Sequence, residues 1–178
     1  YNDALFEALQ AGNPRLFYPE EQPFGGFRQD AAAVRATLDG LADSDPIIRR
    51  VSAEILGHLS LPESKEVLIR GLSDSDSLVR SACLRALAQS KTSASFSDIA
   101  ASLQDPEPDV RFEAIATLSA LFGSAPELAA HLIPLLDDED VRVKTRAAAA
   151  ILNLPSSFKS EAESVVKKAK TILREKSV

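Results

Sequence analysis

An acidic motif that ends in arginine recurs four times along the chain, and this repetition constrains the fold more than any other feature. Each copy starts at a leucine, passes through acidic residues, which are joined by Ser or Pro in the first three copies, and ends with a β-branched residue followed by arginine. The arginines are Arg49, Arg80, Arg111 and Arg142, so successive copies lie 31 residues apart. A fixed period of about 20–50 residues is typical of repeats that stack on one another.

The residues that follow each arginine have helical periodicity. Positions −1, +3, +6 and +7 from the arginine share one face of a helix. In the fourth copy this alignment places Val141 on the buried face and Val143 on the opposite one. Shorter apolar runs precede each acidic turn, at residues 34–41, 67–72, 99–103 and 128–136. Each unit is therefore predicted to be two helices joined by a tight turn.

The turn residues suit the start of the second helix. Asp43, Asp74 and Asp105, or their neighbours, are expected to supply N-cap oxygens. Pro46 and Pro106 can occupy the first helical position, where the missing N–H has no cost. The fourth turn is interpreted as shorter than the others, and Pro134 lies within the helix before it.

One helix pair cannot bury its apolar face alone, so the pairs are predicted to stack around a continuous core. Two segments of the chain are similar to a known family of repeats. They are Asp-Pro-Ile-Ile-Arg-Arg-Val-Ser-Ala-Glu-Ile-Leu-Gly (45–57) and Asp-Ser-Leu-Val-Arg-Ser-Ala-Cys-Leu-Arg-Ala-Leu-Ala (76–88). They resemble the HEAT-like repeats of the short bacterial, phycobilisome-lyase type. The resemblance implies an all-α fold, a right-handed α-solenoid of stacked helix pairs.

Three segments are expected along the chain. Residues 1–31 form an N-terminal helix with an aromatic-rich capping loop, residues 32–154 form the four repeats, and residues 155–178 form an amphipathic capping helix. The aromatic cluster could instead bind a ligand or partner. The C-terminal helix could instead bind a membrane surface or partner, because residues 159–178 carry six basic and three acidic groups.

No catalytic, metal or cofactor site is predicted. The Asp-rich turns lack the glycine and glutamate of a calcium loop, and His58 and His131 belong to no metal-ligand pair. Cys83 occupies a small-residue column of the repeat and is predicted to be a core residue. The four arginines could bind anions, but a structural Asp–Arg ladder is the favoured interpretation. Nucleic acid is not expected as a partner, since the net charge is −6 and there is no tryptophan.

The predicted binding surface is the concave face, which the second helices of a HEAT stack line. Positions +1, +5 and +9 from each arginine point away from the core. The residues selected there as partner contacts are Arg50, Glu54, Arg85, Gln89, Phe112 and Val143. An alternative for Phe112 and Val143 is packing against the terminal segments.

The function expected from these features is a noncatalytic protein-interaction scaffold that binds a protein or peptide. With no methionine present, the chain is interpreted as a module of a larger protein, monomeric as a fragment and cytoplasmic. No segment is long and apolar enough for direct membrane insertion. The alternatives are a phycobilin lyase-like enzyme or chaperone that binds a chromophore, and a domain cut from a membrane transporter or signalling protein.

Overall fold

A computed structural model describes residues 30–90, 94–155, 158 and 162–175. Within these ranges the chain forms α-helices and short 3₁₀ segments, and no strand is present. The N-terminal helix and aromatic loop predicted for residues 1–31 lie almost wholly outside the described residues. The helices are α1 Ala31–Gly40, α2 Pro46–Leu59, α3 Ser64–Gly71, α4 Ser77–Ser90, α5 Phe96–Ala100, α6 Pro108–Phe122, α7 Pro126–Leu132, α8 Val141–Asn153 and α9 Glu163–Glu175.

The chain divides into two compact units, Tyr1–Ser93 and Ala94–Val178. In the first unit α2 packs on α1 and on α4, and α4 also packs on α3. In the second unit α6 packs on α5 and α8, while α8 packs on α7 and α9. The predicted division into an N-terminal segment, four repeats and a capping helix stays a prediction.

The second helix of each repeat is preceded by an acidic residue, which lies two positions beyond the turn aspartate. Asp45 caps α2 by accepting from the backbone N–H of Ile47 at 2.8 Å, and Asp140 caps α8 in the same way. Pro46 occupies the first turn of α2 as predicted. The expectation for Pro106 is wrong, because α6 starts at Pro108 and Pro106 lies in the turn before it.

The turn aspartates do not cap the second helices but close the turns before them. The carboxylate of Asp43 accepts a hydrogen bond from the backbone N–H of Asp45 at 2.8 Å, which closes an Asx turn. The same contact recurs at the other three turns, where Asp74, Asp105 and Asp138 accept from residues 76, 107 and 140. All four turns therefore have the same length, and the expected shortening of the fourth is wrong.

The buried face of the second helices agrees with the prediction in the first three repeats. Leu56 and Leu87 are fully buried in the first unit, and Leu118 is fully buried in the second. Small residues allow the close approach of neighbouring helices, as predicted. A Cβ atom added at Gly57 of α2 would lie 2.8 Å from the Cα atom of Ala86 on α4.

The predicted alignment of the fourth repeat is wrong by two residues. The residues that precede the second helices are numbers 45, 76, 107 and 140, so the intervals are 31, 31 and 33. Val143 of α8 is 0% exposed and takes the core position of Val110, whereas Val141 is 60% exposed. Lys144, rather than Arg142, is thus the equivalent of Arg111.

The two additional residues lie between Leu118 of α6 and Leu132 of α7, in the helices rather than in the loop, because α7 begins six residues before Leu132 whereas α5 begins three residues before Ile99. Ile99 of α5 is 12 positions after Leu87 of α4, and Leu132 of α7 is 14 positions after Leu118 of α6, all four being fully buried. The first helices of both repeats in the second unit end as 3₁₀ segments, Ala101–Gln104 after α5 and Pro134–Asp137 after α7. Proline lacks the N–H that an uninterrupted α-helix needs, which accounts for the break at Pro134.

The C-terminal helix α9 packs on α8 in the second unit. Ala169 is fully buried, while Val165, Val166, Ile172 and Leu173 are half-buried. Lys168 donates to both carboxylate oxygens of Asp137, at 2.6 and 2.7 Å. The apolar stripe read from the sequence therefore lies against α8 rather than in water.

Candidate functional site

Two of the repeat arginines form bidentate pairs with an aspartate of the following turn. Arg49 donates from Nε and Nη2 to the two carboxylate oxygens of Asp74, at 2.7 and 2.8 Å. Arg111 makes the same pair of bonds with Asp138, both at 2.8 Å. Each guanidinium also donates from Nη1 to two backbone carbonyls of its own turn. These arginines therefore join consecutive turns within a unit, and their donors are directed into the protein.

These pairs change the acidity of their aspartates. The hydrogen bonds from Arg49 lower the pKa of Asp74 below its ordinary value, against the opposing effect of burial. For Asp138 the desolvation that comes with burial raises the pKa, but the bonds from Arg111 and from the backbone N–H of Asp140 outweigh it and the net shift is downward. Both carboxylates are therefore held ionised by hydrogen bonds to the charged form.

The remaining two repeat arginines differ. Arg80 donates from Nη1 to the carbonyl oxygens of Asp74 and Ser75, at 2.8 and 3.2 Å. Arg142 is exposed and pairs with Asp109 at 2.7 Å and with Asp140 at 2.9 Å. The structural interpretation of the four arginines is confirmed, since each contacts carboxylates or carbonyls of the acidic turns.

The first unit carries a polar surface on its two second helices. We call it the α2–α4 face, and its residues are Arg50, Glu54, His58, Ser81, Arg85 and Gln89. Arg85 of α4 lies 3.8 Å from Glu54 of α2, and the Gln89 side-chain amide lies 2.8 Å from Nδ1 of His58. The four predicted contact residues of this unit, Arg50, Glu54, Arg85 and Gln89, are thus brought onto one surface.

Two polar groups of the α2–α4 face have unsatisfied atoms. Nε of the half-buried Arg50 and Oγ of Ser81 are both inaccessible to water and have no hydrogen-bond partner. Ser81 as a whole is 5% exposed. Leaving such an atom unbonded costs about 1–3 kcal/mol, so native proteins keep few of them.

The second unit presents a different surface on α6 and α8. Phe112 is half-buried, and the guanidinium of the exposed Arg146 lies over its ring, 5.0 Å from the ring centroid. The placement of Val143 on this surface is wrong, because its side chain is fully buried in the core beneath α8. The two-residue shift in the fourth repeat is the reason, and Thr145 takes the position that the alignment gave to Val143.

One exposed apolar feature was not predicted from the sequence. Ile47 and Leu78 are 62% and 53% exposed, and both lie two residues after the N-terminal cap of their helix. Asp109 and Arg142 hold the same position in the second unit, where they form an ion pair. An alignment of the repeats on the cap residues, rather than on the arginines, would have found this row.

The single thiol is buried, and one of the two histidines lies against an aromatic ring. Cys83 is fully buried, as predicted, and burial raises its pKa to about 12. His131 lies against the ring of Phe96 at 5.0 Å, and Phe96 packs edge-on against Phe122 at 5.5 Å. The described ranges contain no cluster of three or more His, Cys, Asp or Glu side chains that could hold a metal ion. None of the described helices has the length and apolar composition needed to span a membrane.

Comparison with known proteins gives a consistent result. A family model described as HEAT repeats matches residues 34–101 and 83–153. Among solved structures, the chain is similar to an engineered protein determined by crystallography, with a TM-score of 0.52 and 22% sequence identity over 82% of this chain and 80% of that chain. No curated protein matches the sequence. The structural likeness concerns the fold alone, and with the family match it places the chain in the all-α, α-solenoid class.

Proposed function

Because the chain belongs to the HEAT-repeat family, whose members typically form helical scaffolds for protein interaction, we propose that it is a noncatalytic scaffold that binds a protein or peptide partner. The partner would bind to the exposed side of the second helices, the side predicted to be concave. We further propose that the chain acts in the cytoplasm as a module of a larger protein.

The observation that carries this proposal is the register of side chains across α2 and α4. Glu54 contacts Arg85, and His58 contacts Gln89, so both contacts join residues 31 positions apart. Side chains that already contact one another have less freedom to lose when a partner binds. The α2–α4 face is therefore a preorganised polar surface of the kind that a binding module needs.

Phe112 supports the proposal in the second unit. A half-buried aromatic ring beneath an arginine is a typical interface anchor, since aromatic residues and arginine are enriched among energetically important contacts. Val143 no longer belongs to the proposed contact set, because it is buried. The set is now Arg50, Glu54, Arg85, Gln89 and Phe112.

The proposal is tested by affinity capture with the chain as bait. Arg85→Glu reverses one charge of the α2–α4 face, and Phe112→Asp places a charge at the aromatic anchor. Each variant is expected to recover a partner of the wild-type chain at about one tenth of its level or less, which corresponds to a loss of about 1.4 kcal/mol or more. The measurement is the abundance of each captured protein by quantitative mass spectrometry.

The matched control reverses a charge on a first helix. Glu66→Arg on α3 changes an exposed side chain away from the proposed surface and is expected to leave capture unchanged. Circular dichroism melts of all variants exclude loss through unfolding. Capture of the same partners at the same abundance by all variants would reject the second helices as the binding surface.

A further inference from the structure

On the basis of the proposed scaffold function, we infer that Arg146, which lies over the ring of Phe112, binds the carboxylate of an Asp or Glu side chain in an otherwise apolar segment of the partner protein. The inference goes beyond the proposed binding surface, because it assigns the chemical class of the partner segment and the contact that recognises it. It concerns the second unit alone.

The guanidinium of Arg146 is both accessible and held in place. Arg146 is an exposed residue of α8, and its Cζ atom lies 5.0 Å from the centroid of the Phe112 ring on α6. A cation over an aromatic face is attracted to the ring without using its N–H donors, which lie in the plane of the guanidinium. The arginine therefore keeps its hydrogen-bonding capacity while the ring favours one position of its head group.

Arg146 is available for an ion pair with another molecule. Among the described residues no carboxylate pairs with Arg146, and the ring of Phe112 is the group beneath it. The exposed arginine one turn earlier, Arg142, is already paired with Asp109 and Asp140, at 2.7 and 2.9 Å. A carboxylate can therefore bind to Arg146 without first breaking an ion pair within the described part of the chain.

The surface around Arg146 is largely apolar. We call it the α6–α8 face, and its residues are Phe112, Ala116, Thr145, Arg146 and Ala149. Ala116 lies one turn after Phe112, Ala149 lies one turn after Thr145, and both alanines are half-buried. The face therefore offers one cation in an apolar setting, which matches a segment that carries one acidic side chain between apolar ones.

The charge of the neighbouring helices also favours an acidic group. Helices α8 and α9, which pack together in the second unit, contain seven basic and two acidic residues, although the whole chain has a net charge of −6. The basic excess remains when Asp109 and Asp140, the partners of Arg142, are included. A carboxylate that approaches α8 therefore meets a local positive potential on an acidic chain.

A protein segment fits the α6–α8 face better than a nucleic acid does. Single-stranded nucleic acids stack their bases on aromatic rings, and Arg146 already lies over the Phe112 ring. Nucleic-acid affinity also depends on neutralising many phosphates at once, and the chain as a whole is acidic. One arginine in an apolar setting is sufficient to orient one carboxylate of a peptide.

Nuclear magnetic resonance titration of the full chain tests the inference. The probe is the peptide Ser-Gly-Ser-Leu-Glu-Leu-Ser-Gly-Ser-Gly, acetylated and amidated so that Glu carries its only carboxylate, and a companion peptide has Gln in place of Glu. The wild-type chain is expected to bind the Glu peptide with a Kd of about 1 mM or lower, and the Gln peptide about tenfold more weakly or worse. The side-chain Nε–H signal of Arg146, identified by its absence in Arg146→Lys, is expected to shift with the Glu peptide alone.

Three variants separate the contributions of the charge, the planar fork and the ring. Arg146→Gln is expected to weaken binding of the Glu peptide about tenfold or more, because it removes the cation. Arg146→Lys keeps the charge without the fork and is expected to weaken binding less than Arg146→Gln does. Phe112→Leu removes the ring beneath the guanidinium and is expected to weaken binding about threefold.

The matched control is Arg174→Gln in the same unit. It removes the same charge from an exposed arginine of α9, outside the α6–α8 face, and is expected to leave the affinity within about twofold of the wild-type value. Because Arg146 and Arg174 are both exposed, thermal melts of the two glutamine variants are expected to match that of the wild type.

Four results would overturn the inference: no binding of the Glu peptide at about 10 mM, equal affinity for the Glu and Gln peptides, equal weakening by Arg146→Gln and Arg174→Gln, or tighter binding of a single-stranded oligonucleotide than of the Glu peptide. The scaffold proposal is judged separately by the capture experiment. If capture depends on Arg85 or Phe112 while the Glu and Gln peptides bind equally, only the acidic-partner inference is rejected.

Discussion

Asp138 shows how a single side chain joins two repeats. It is 6% exposed at its side chain, accepts two hydrogen bonds from Arg111, and accepts a third from the backbone N–H of Asp140. Removing it leaves the Arg111 fork without its carboxylate partner in a place that water reaches poorly. Such a loss is more costly than the loss of an exposed ion pair.

We therefore expect Asp138→Ala to lower the free energy of unfolding by about 1–3 kcal/mol. The matched change Asp39→Ala, which removes an exposed partner of Arg35, should lower it by less than about 1 kcal/mol. Urea denaturation followed by circular dichroism measures both values. Equal destabilisation by the two changes would contradict the structural role of the Asp138 pair.

The pair between Arg49 and Asp74 adds a dependence on pH. Because the hydrogen bonds from Arg49 hold the pKa of Asp74 below the ordinary value of 3.8, the folded state binds this proton less readily than the unfolded state does. The stabilisation is therefore fully present above the ordinary value and is lost as the pH falls through the lowered one. We expect a smaller loss of stability between pH 5 and pH 2 in Asp74→Asn than in the wild type, measured by urea denaturation at each pH. If the free energy of unfolding fell equally with pH in both chains, the pH dependence would not come from Asp74.

At the level of helices, the sequence specifies the second helix of the fourth repeat but leaves its alignment with the other repeats ambiguous. The periodicity identified the second helices and their buried face in three repeats, as the burial of Leu56, Leu87 and Leu118 confirms. It failed in α8 because Arg142 lies 31 residues after Arg111 by coincidence, and because alternate valines at 141 and 143 fit either alignment. The spacing from the turn aspartate to the cap residue was the better guide, since a hydrogen bond joins these two residues in every turn.

The candidate surface was predictable only where that alignment held. Arg50, Glu54, Arg85 and Gln89 were found by position alone, because α2 and α4 follow the 31-residue period. The unsatisfied atoms of Arg50 and Ser81, and the arginine above Phe112, depend on side-chain placement that a repeat pattern does not encode.

Two substitutions in α8 distinguish the two alignments. Val143→Asp places a carboxylate in the core and should destabilise the protein by several kcal/mol, about 3 or more. Val141→Asp changes a side chain that is largely exposed and should alter stability by no more than about 0.5 kcal/mol. Thermal and urea denaturation measure both. If Val141→Asp destabilised the protein more than Val143→Asp did, the alignment on Arg142 would be the correct one.

Across the whole chain, the two compact units each have a core of their own. Cys83 reports on the first of them, because its thiol is fully buried and burial raises its pKa to about 12. Alkylation at neutral pH therefore requires opening of the structure around α4, since the thiolate is the reactive form.

We expect Leu87→Ala, which removes a buried side chain beside Cys83 on α4, to cost about 2–5 kcal/mol and to accelerate alkylation by iodoacetamide about 30-fold or more. Ile151 occupies the equivalent core position in the second unit, so Ile151→Ala should leave the rate of Cys83 alkylation unchanged. Mass spectrometry of timed samples gives both rates. Equal acceleration by the two changes would mean that the units open together.

The two additional residues between Leu118 and Leu132 bear on how the protein can be modified. They lengthen the chain without displacing the buried Leu118 and Leu132, whereas the aspartate turns keep one length in all four copies. An inserted tag, protease site or fluorophore loop should therefore be accommodated after Gly123, and an insertion of equal size between Asp138 and Asp140 should not.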